Sequence, residues 1–187
     1  MVMNMENLEI EYKVMVDSID FFYLQEKLKD YRPETLIQEN IYYDTVFEQI
    51  SRNDLSLRVR HIKNKKKFIA TLKEKVGDAR KEYEYEVDGE DSFPKEIIDK
   101  LNEYGVDYEC LVETSRLTTF RNEYKLENGV LCLDENHYYG NVDYEVECES
   151  SSLEKAKKIV KNLLDKNGIS YQESKLSKVA RANKYRN

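Results

Sequence analysis

The chain has 187 residues, 36% of them charged, and its 30 Lys and Arg against 37 Asp and Glu give a formal net charge of -7. This balance argues against a general nucleic-acid-binding protein, which usually has a basic excess. No apolar run reaches the roughly eighteen residues of a membrane-spanning helix, so we expect no membrane partner. Three cysteines without a CxxC spacing argue against a disulfide framework or a zinc site. Met1 to Glu11 lacks the basic and apolar regions of a signal peptide, so we expect a cytoplasmic protein.

Alternation of apolar and charged residues with period two predicts strands in the first half of the chain, beginning at residues 8–14. Helical periodicity replaces it over residues 18–30, where Ser18 is placed to cap the helix. The alternation then resumes, and the next predicted strands cover residues 38–44, 55–62, 67–75 and 81–87.

A second helix is predicted over residues 93–104, followed by strands at residues 111–126, 130–134 and 142–149. The third predicted helix covers residues 151–166 and opens with Ser151 and Glu154 in the spacing of a capping box. The basic tail, residues 174–187, is expected to form a short helix or strand. About eight strands, mostly joined by hairpins, with three helices favour an antiparallel α+β domain.

The charged residues are sorted by strand. Carboxylates predominate on three predicted strands, at Glu9 and Glu11, at Glu82, Glu84 and Glu86, and at Asp143, Glu145, Glu147 and Glu149. Cations predominate on two others, at Arg58 and Arg60 and at Lys73. Residues i and i+2 of a strand lie roughly 7 Å apart. Like charges at that separation repel by about 2.4 kcal/mol at an effective dielectric of 20 and about 0.6 kcal/mol in bulk water. The pattern is therefore costly in an enclosed space unless counter-charges fill it.

The combination of acidic and basic strands indicates the chemical class of a ligand. Carboxylates favour hard cations such as Mg²⁺, and guanidinium and ammonium groups favour anions rich in oxygen such as phosphate. A face that offers both suits a metal-complexed polyphosphate. Any one acidic triplet is more typical of a solvated strand face, and periodicity leaves open whether the charged face is an exposed surface or the lining of a closed barrel. Eight strands are enough to close one.

The residues Glu9-x-Glu11-x-Lys13 resemble the ExExK signature of the CYTH superfamily, the triphosphate tunnel metalloenzymes. Further matches follow in the family's order: Arg58-x-Arg60, Thr71-x-Lys73, Glu82-x-Glu84-x-Glu86, the segment from Leu133-Asp134 to Gly140, Glu145-x-Glu147 and Lys175. The resemblance covers essentially the whole chain and implies one domain over residues 1–187, similar to the compact bacterial form. It implies an α+β fold in which an eight-stranded antiparallel β-barrel forms a tunnel with helices packed outside.

The resemblance also implies roles for individual residues. The implied ligands of Mg²⁺ or Mn²⁺ are Glu9, Glu11, Asp134, Glu145 and Glu147. The implied phosphate-binding residues are Lys13, Arg58, Arg60, Lys73 and, in the tail, Lys175, with Lys178 and Arg181 close by. The family places an arginine near residues 111–126, where Arg116 and Arg121 are both available, and the alternation favours Arg121. Lys13, Glu84 and Glu86 are the implied catalytic residues, the two glutamates completing an acidic wall or orienting a water.

The function expected from this resemblance is metal-dependent hydrolysis of inorganic tripolyphosphate or a nucleoside triphosphate by in-line attack of water. The partner would be a small triphosphate or polyphosphate, and a homodimer is left open. One alternative is adenylyl cyclase chemistry of the class IV type on the same scaffold, and another is a module that binds polyphosphate or nucleotide without turnover. The least specific alternative is a barrel or sheet with a salt-rich surface and no small-molecule site.

Overall fold

The computed structural model describes residues 5–77, 79–174 and 176–186, with side chains from residue 8 onward. Within these ranges the strands are β1 (Met5–Glu9), β2 (Glu11–Val16), β3 (Glu34–Thr45), β4 (Leu55–Ile62), β5 (Lys67–Val76), β6 (Ala79–Val87), β7 (Leu111–Leu126), β8 (Gly129–Tyr138), β9 (Asn141–Glu149) and β10 (Gln172–Glu173). The α-helices are α1 (Ser18–Leu28), α2 (Gln49–Arg52), α3 (Lys95–Glu103), α4 (Leu153–Lys166) and α5 (Lys178–Asn183). Short 3₁₀ helices cover Lys29–Tyr31, Lys63–Lys65 and Tyr108–Cys110.

The strands follow the order β1-β6-β5-β4-β3-β7-β8-β9-β2-β10, and the pairs with a described register are antiparallel. This confirms the predicted antiparallel α+β fold, although the described sheet has ten strands where eight were expected. The predicted strand at residues 8–14 is divided at Ile10 into β1 and β2, which pair with different neighbours. The tenth strand is the two-residue β10, which pairs with β2. No helix in the described ranges has both the length and the apolar character needed to cross a membrane.

Two predicted helix caps are wrong by one residue. The α1 helix is capped by Asp17 rather than Ser18, because the Asp17 carboxylate accepts a hydrogen bond from the backbone N–H of Asp20 at 2.8 Å. The α4 helix is capped by Ser152 rather than Ser151, because the Ser152 hydroxyl accepts from the N–H of Lys155 at 3.3 Å. In both helices two adjacent polar residues could cap, and sequence alone does not choose between them.

The chain forms two compact units. The first unit comprises the described parts of Met1–Glu9 and Gln38–Leu117, and the second comprises those of Ile10–Ile37 and Thr118–Asn187. In the first unit the strands follow the order β1-β6-β5-β4-β3, and their alternation gives the sheet one apolar and one charged face. The apolar face joins a core with α3, and the fully buried members of that core include Ile41, Val59, Ala70, Leu72, Ile97 and Leu101.

The second unit repeats this arrangement with other strands. Its strands β7, β8, β9 and β2 also place apolar side chains on one face, where Leu133, Val146 and Val14 are successive neighbours across β8, β9 and β2. The α1 and α4 helices cover that face, with Phe21, Leu24, Ala156, Val160 and Leu164 fully buried against it. Because strand side chains alternate, the residues between these apolar positions all project from the opposite face. In each unit the helices therefore pack on the apolar face, as predicted, and the charged residues share the other face.

Candidate functional site

Three buried carboxylates converge on the charged face of the second unit. Asp134 on β8 lies opposite Glu145 on β9, and Glu147 follows two residues later on the same face. One oxygen atom of each carboxylate lies within 4.8 Å of those of the other two. Asp134 and Glu145 are completely buried, and Glu147 is nearly so. Like charges this close in a buried position require counter-charges or a cation between them.

Lys178 provides the counter-charge at the centre of the three carboxylates. It is the first residue of α5, and its Nζ lies 2.9 Å from Asp134 Oδ2, 2.7 Å from Glu145 Oε1 and 2.8 Å from Glu147 Oε2. Burial alone would lower the pKa of Lys178, but the three carboxylates outweigh it and raise the pKa well above its ordinary value. The ammonium is therefore charged.

Two arginines also bind these three carboxylates. Arg121 on β7 donates from Nε to Asp134 Oδ1 at 2.8 Å and from Nη2 to Oδ2 at 2.6 Å, and its Nη2 is 3.3 Å from Glu147 Oε1. Arg181 on α5 places Nη2 2.6 Å from Glu145 Oε2. Each carboxylate thus directs one oxygen at the Lys178 ammonium and is also held by an arginine.

Arg181 is fixed by a further carboxylate, that of Asp143. The Arg181 Nε donates to Asp143 Oδ2 at 2.7 Å, and the Tyr138 hydroxyl and Asn136 amide donate to Asp143 at 2.5 and 2.9 Å. Asn136 and Asp143 face each other across β8 and β9, on the same side as Asp134 and Glu145. Asp143 therefore connects the strands to α5 and orients an arginine that binds Glu145.

The environment shifts the pKa values of the carboxylates in different directions. Burial would raise the pKa of Glu147, but the charges of Lys178, Arg121 and Lys13 hold it well below the usual range. Burial likewise opposes ionisation of Asp134, yet Arg121 and Lys178 lower its pKa. Burial raises the pKa of Glu145, and the attraction of Lys178 offsets this only in part.

The same three carboxylates fit a divalent metal ion. Mg²⁺, Mn²⁺ and Ca²⁺ prefer oxygen ligands, and three carboxylate oxygens here surround one point, at which the Lys178 ammonium lies. The arginines bind these carboxylates in addition to Lys178 and would orient them, as hydrogen-bond partners of metal ligands usually do. Lys13 on β2 pairs with Glu11 and lies opposite Glu147 in the strand register.

In the first unit a second set of charged side chains lies on neighbouring strands. Arg58, Thr71 and Glu84 are successive cross-strand neighbours on β4, β5 and β6. The Thr71 hydroxyl donates to Glu84 Oε1 at 3.0 Å, and Arg58 Nη2 lies 3.4 Å from that hydroxyl and 4.0 Å from the carboxylate. The buried Nε of Arg58 has no hydrogen-bond partner in the described part of the chain. The guanidinium therefore has donor capacity available for an anion.

The other predicted residues of this unit have ion-pair or amide partners. Lys73 Nζ lies 2.6 Å from Glu9 Oε2 and also pairs with Glu82. Arg60 donates from Nε to the Asn40 side-chain oxygen at 2.9 Å. Glu86 pairs with Lys67 at 2.7 Å and has a side chain that is 54% exposed, so it lies in a wetter position than Glu84.

The structure places the remaining candidates as follows. Arg121 lies among the buried carboxylates, whereas Arg116 is bound by Glu113, Glu90 and Glu39 in the first unit, at 2.8, 3.0 and 3.7 Å. The ExExK residues are divided, with Glu9 on β1 in the first unit and Glu11 and Lys13 on β2 in the second. Lys175 lies outside the described residues, and its neighbours Lys178 and Arg181 are the tail cations seen to contact carboxylates.

Several contributing residues were absent from the predicted set. Asn136 continues the alternation of Asp134, so strict period-two counting on β8 would have found it, and Asp143 is among the acidic residues of its predicted strand but had no assigned role. Lys178 and Arg181 had a weaker signal, because the basic tail shows no periodicity that fixes its conformation. Their placement depends on where α5 packs, which local sequence does not encode.

Comparison with known proteins agrees with this architecture. A family model described as the CYTH domain matches residues 7–182. The protein of Bacillus subtilis (strain 168) named "Putative triphosphatase YjbK" is 26% identical over 176 residues, covering 91% of this chain and 92% of its own. A solved structure from Bacillus halodurans, described as a "putative adenylate cyclase", is 29% identical with a TM-score of 0.83, covering 94% of this chain and 97% of that one. The Hippeastrum protein HpAC1, described as having a dominant triphosphatase activity, is 24% identical with a TM-score of 0.81 and covers 96% of both chains. At this identity the last likeness supports the fold.

Proposed function

Since the chain belongs to the CYTH domain family, we propose that it is a metal-dependent triphosphatase. The proposed substrate is inorganic tripolyphosphate or a nucleoside triphosphate. In the reaction a water oxygen forms a bond to the terminal phosphorus while the bridging P–O bond breaks. Orthophosphate leaves together with the diphosphate or nucleoside diphosphate.

The observation that carries this proposal is the convergence of Asp134, Glu145 and Glu147 on one point. Three buried carboxylates at one position require a cation between them, and the point where the Lys178 ammonium lies is surrounded by the oxygen ligands that a divalent ion prefers. Under the proposal they would hold Mg²⁺ or Mn²⁺, which would supply Lewis-acid stabilisation of the charge on phosphate oxygens. Arg121 and Arg181 would keep the carboxylates oriented, and Asp143 would fix Arg181.

The proposed phosphate-binding groups are the other cationic residues on the charged faces, Lys13, Arg58, Arg60 and Lys73, whereas Arg121 is engaged by Asp134 and Glu147. The phosphate-binding groups would neutralise charge that develops on the phosphoryl oxygens as the bridging bond breaks. Glu84 is the proposed residue that orients the attacking water, since Thr71 holds its carboxylate beside Arg58. The ligand roles of Glu9 and Glu11, the catalytic roles of Lys13 and Glu86 and the binding role of Lys175 stay predictions from the resemblance.

Direct attack by water is proposed because no suitable protein nucleophile accompanies the carboxylates in the described part of the chain. Cys132 shares their strand face and is buried. Burial raises the pKa of its thiol, which keeps the sulfur protonated and weakly nucleophilic. A covalent phospho-enzyme on this sulfur is therefore not part of the proposal.

A phosphate-release panel tests the proposal. Tripolyphosphate, ATP, GTP and thiamine triphosphate are each incubated with Mg²⁺, Mn²⁺ or EDTA, and we expect release with the metals and none with EDTA. Glu145→Gln removes one carboxylate charge at nearly constant volume and should lower turnover by at least about 100-fold. Glu127→Gln, at an exposed residue in the turn after β7, is the matched control and should keep the wild-type rate. Wild-type turnover in folded Glu145→Gln would overturn the metal assignment.

The resemblance to a structure described as an adenylate cyclase, at 29% identity, supports a second candidate function. In a cyclase the ribose 3′-hydroxyl attacks the α-phosphorus, and ATP gives cyclic AMP and pyrophosphate. A triphosphatase gives ADP and phosphate. Product analysis with ATP therefore separates the two activities, and binding of tripolyphosphate with neither product would instead indicate a binding module.

A further inference from the structure

We propose that Lys178 occupies the divalent-cation position in the metal-free protein, and that a metal ion binds by displacing its ammonium group. The inference rests on the proposed metal site at Asp134, Glu145 and Glu147. It goes further by assigning to the tail helix α5 a counter-ion that competes with the metal. Metal affinity would then be set partly by this chain's own lysine.

The Lys178 ammonium lies where a metal ion would bind. The oxygens that Lys178 contacts at 2.7–2.9 Å belong to the same three carboxylates that converge as potential metal ligands. A divalent cation binds carboxylate oxygens at about 2.0–2.6 Å, so it would lie at nearly the same point as the Lys178 nitrogen. The ammonium and the metal ion cannot both be there.

The charge balance of the cluster favours a divalent ion over the ammonium. Among the described side chains that contact one another here, four carboxylates, those of Asp134, Asp143, Glu145 and Glu147, face three cations, Arg121, Lys178 and Arg181. One negative charge is therefore in excess while the ammonium is in place. Without it the excess would be two, in buried surroundings where unpaired charge is costly. A divalent ion in the same place would balance these four described carboxylates, which provides the driving force for exchange.

The Lys178 side chain can leave this position while α5 stays in place. Arg181, one turn later, holds α5 to Asp143 and Glu145, and its Nη1 also bonds the Ser174 hydroxyl and the Leu176 carbonyl. The Lys178 ammonium stands on a flexible four-carbon side chain. Rotation of that side chain alone would vacate the position, and the released ammonium would remain near enough to pair with a phosphate oxygen.

Calorimetric titration with Mn²⁺ tests the inference. Lys178→Met removes the competing ammonium and should bind Mn²⁺ at least about tenfold more tightly than wild type, since the free site is then always available. Removal of any nearby cation raises metal affinity somewhat, so Lys13→Met is the matched control. Its ammonium pairs with Glu11 rather than lying between the three carboxylates, and its gain should be smaller. A Lys178→Met affinity no higher than that of Lys13→Met would overturn the inference.

A second measurement uses the wild-type protein, in case Lys178→Met folds poorly. Reductive methylation read by mass spectrometry should leave Lys178 protected in EDTA and modify it several-fold faster once Mn²⁺ is bound. Exposed Lys184 should be modified equally in both states. Unchanged protection of Lys178 while calorimetry shows bound Mn²⁺ would overturn the inference and leave the metal site intact. Absence of Mn²⁺ binding in both wild type and Lys178→Met would overturn both.

Discussion

Arg58 shows how one buried residue can be recognised as a binding group rather than a structural ion pair. The Arg121 guanidinium donates two hydrogen bonds to the Asp134 carboxylate, at 2.8 and 2.6 Å. Among the described residues, the hydrogen-bond and ion-pair contacts of Arg58 are the longer ones to Thr71 and Glu84, at 3.4 and 4.0 Å, and its buried Nε has no hydrogen-bond partner. Burying an arginine with spare donors is costly unless a ligand uses them. We therefore assign Arg121 to holding carboxylates and Arg58 to contacting substrate.

We predict that Arg58→Ala raises the KM for tripolyphosphate at least about tenfold, because a charge-assisted contact to phosphate contributes about 1.5–3 kcal/mol. A contact made equally in the ground and transition states would change KM with little loss of kcat. Steady-state kinetics with excess Mn²⁺ measures both constants. Arg116→Ala, which removes an arginine bound by three carboxylates, is the control and should leave KM unchanged. An unchanged KM in folded Arg58→Ala would contradict the assignment.

At the scale of single elements, the strands were predicted more accurately than the helix ends. Period-two alternation placed Asp134, Glu145 and Arg121 on charged faces, and the structure brings these three together. The alternation is local, so sequence reveals it. The choice of cap between adjacent polar residues depends on the direction in which the chain enters the helix, which packing against the sheet determines.

The α4 cap gives a direct test at this scale. Ser152→Ala removes the hydroxyl that accepts from the N–H of Lys155 and should lower the free energy of unfolding by about 1 kcal/mol. Ser151→Ala is a matched control one residue away. Its hydroxyl contacts only the Lys155 side chain among described groups, so the change should stay within about 0.5 kcal/mol. Urea denaturation of both variants measures the difference, and equal losses would show that Ser152 does not act as the cap.

For the whole molecule, the sequence predicted the antiparallel α+β fold and the sorting of charge, but not which charged groups meet. The ExExK residues appear as one motif, yet Glu9 pairs through β1 with β6 and Glu11 through β2 with β9. That division at Ile10 follows from pairing with strands more than 60 residues away along the chain. The local alternation of apolar and charged residues therefore does not reveal this division.

The position of Lys178 on α5 likewise depends on distant residues and is not evident from the local sequence. The α5 helix has six residues, too few to be stable through local propensity alone. Its position depends on the carboxylates that Lys178 and Arg181 bind, which lie more than 30 residues earlier in the chain. Sequence reasoning could note the basic tail and name its cations, but not select the one that lies among the acidic residues.

The overall charge of the chain affects how a triphosphate can bind. A formal net charge of -7 opposes the approach of a polyanion, so binding of a triphosphate should depend on a divalent cation that neutralises the buried carboxylates. Imidotriphosphate, a slowly hydrolysed analogue, is the suitable probe because it is not consumed during heating. With excess Mn²⁺ and the analogue at 100 times its dissociation constant, ligand binding should stabilise the fold by about 2.7 kcal/mol. For a chain of this length that raises the unfolding midpoint by roughly 5–10 °C.

The same analogue in EDTA should raise the midpoint by much less, and Mn²⁺ alone should give an intermediate increase. Differential scanning calorimetry of the three conditions measures this coupling between metal and anion. The reason for the order is electrostatic: the divalent ion converts an acidic cluster into one that tolerates phosphate, whereas the anion alone adds like charge beside Asp134, Glu145 and Glu147. An equal increase with and without Mn²⁺ would show that the cationic residues bind the triphosphate unaided and that the carboxylates serve another purpose.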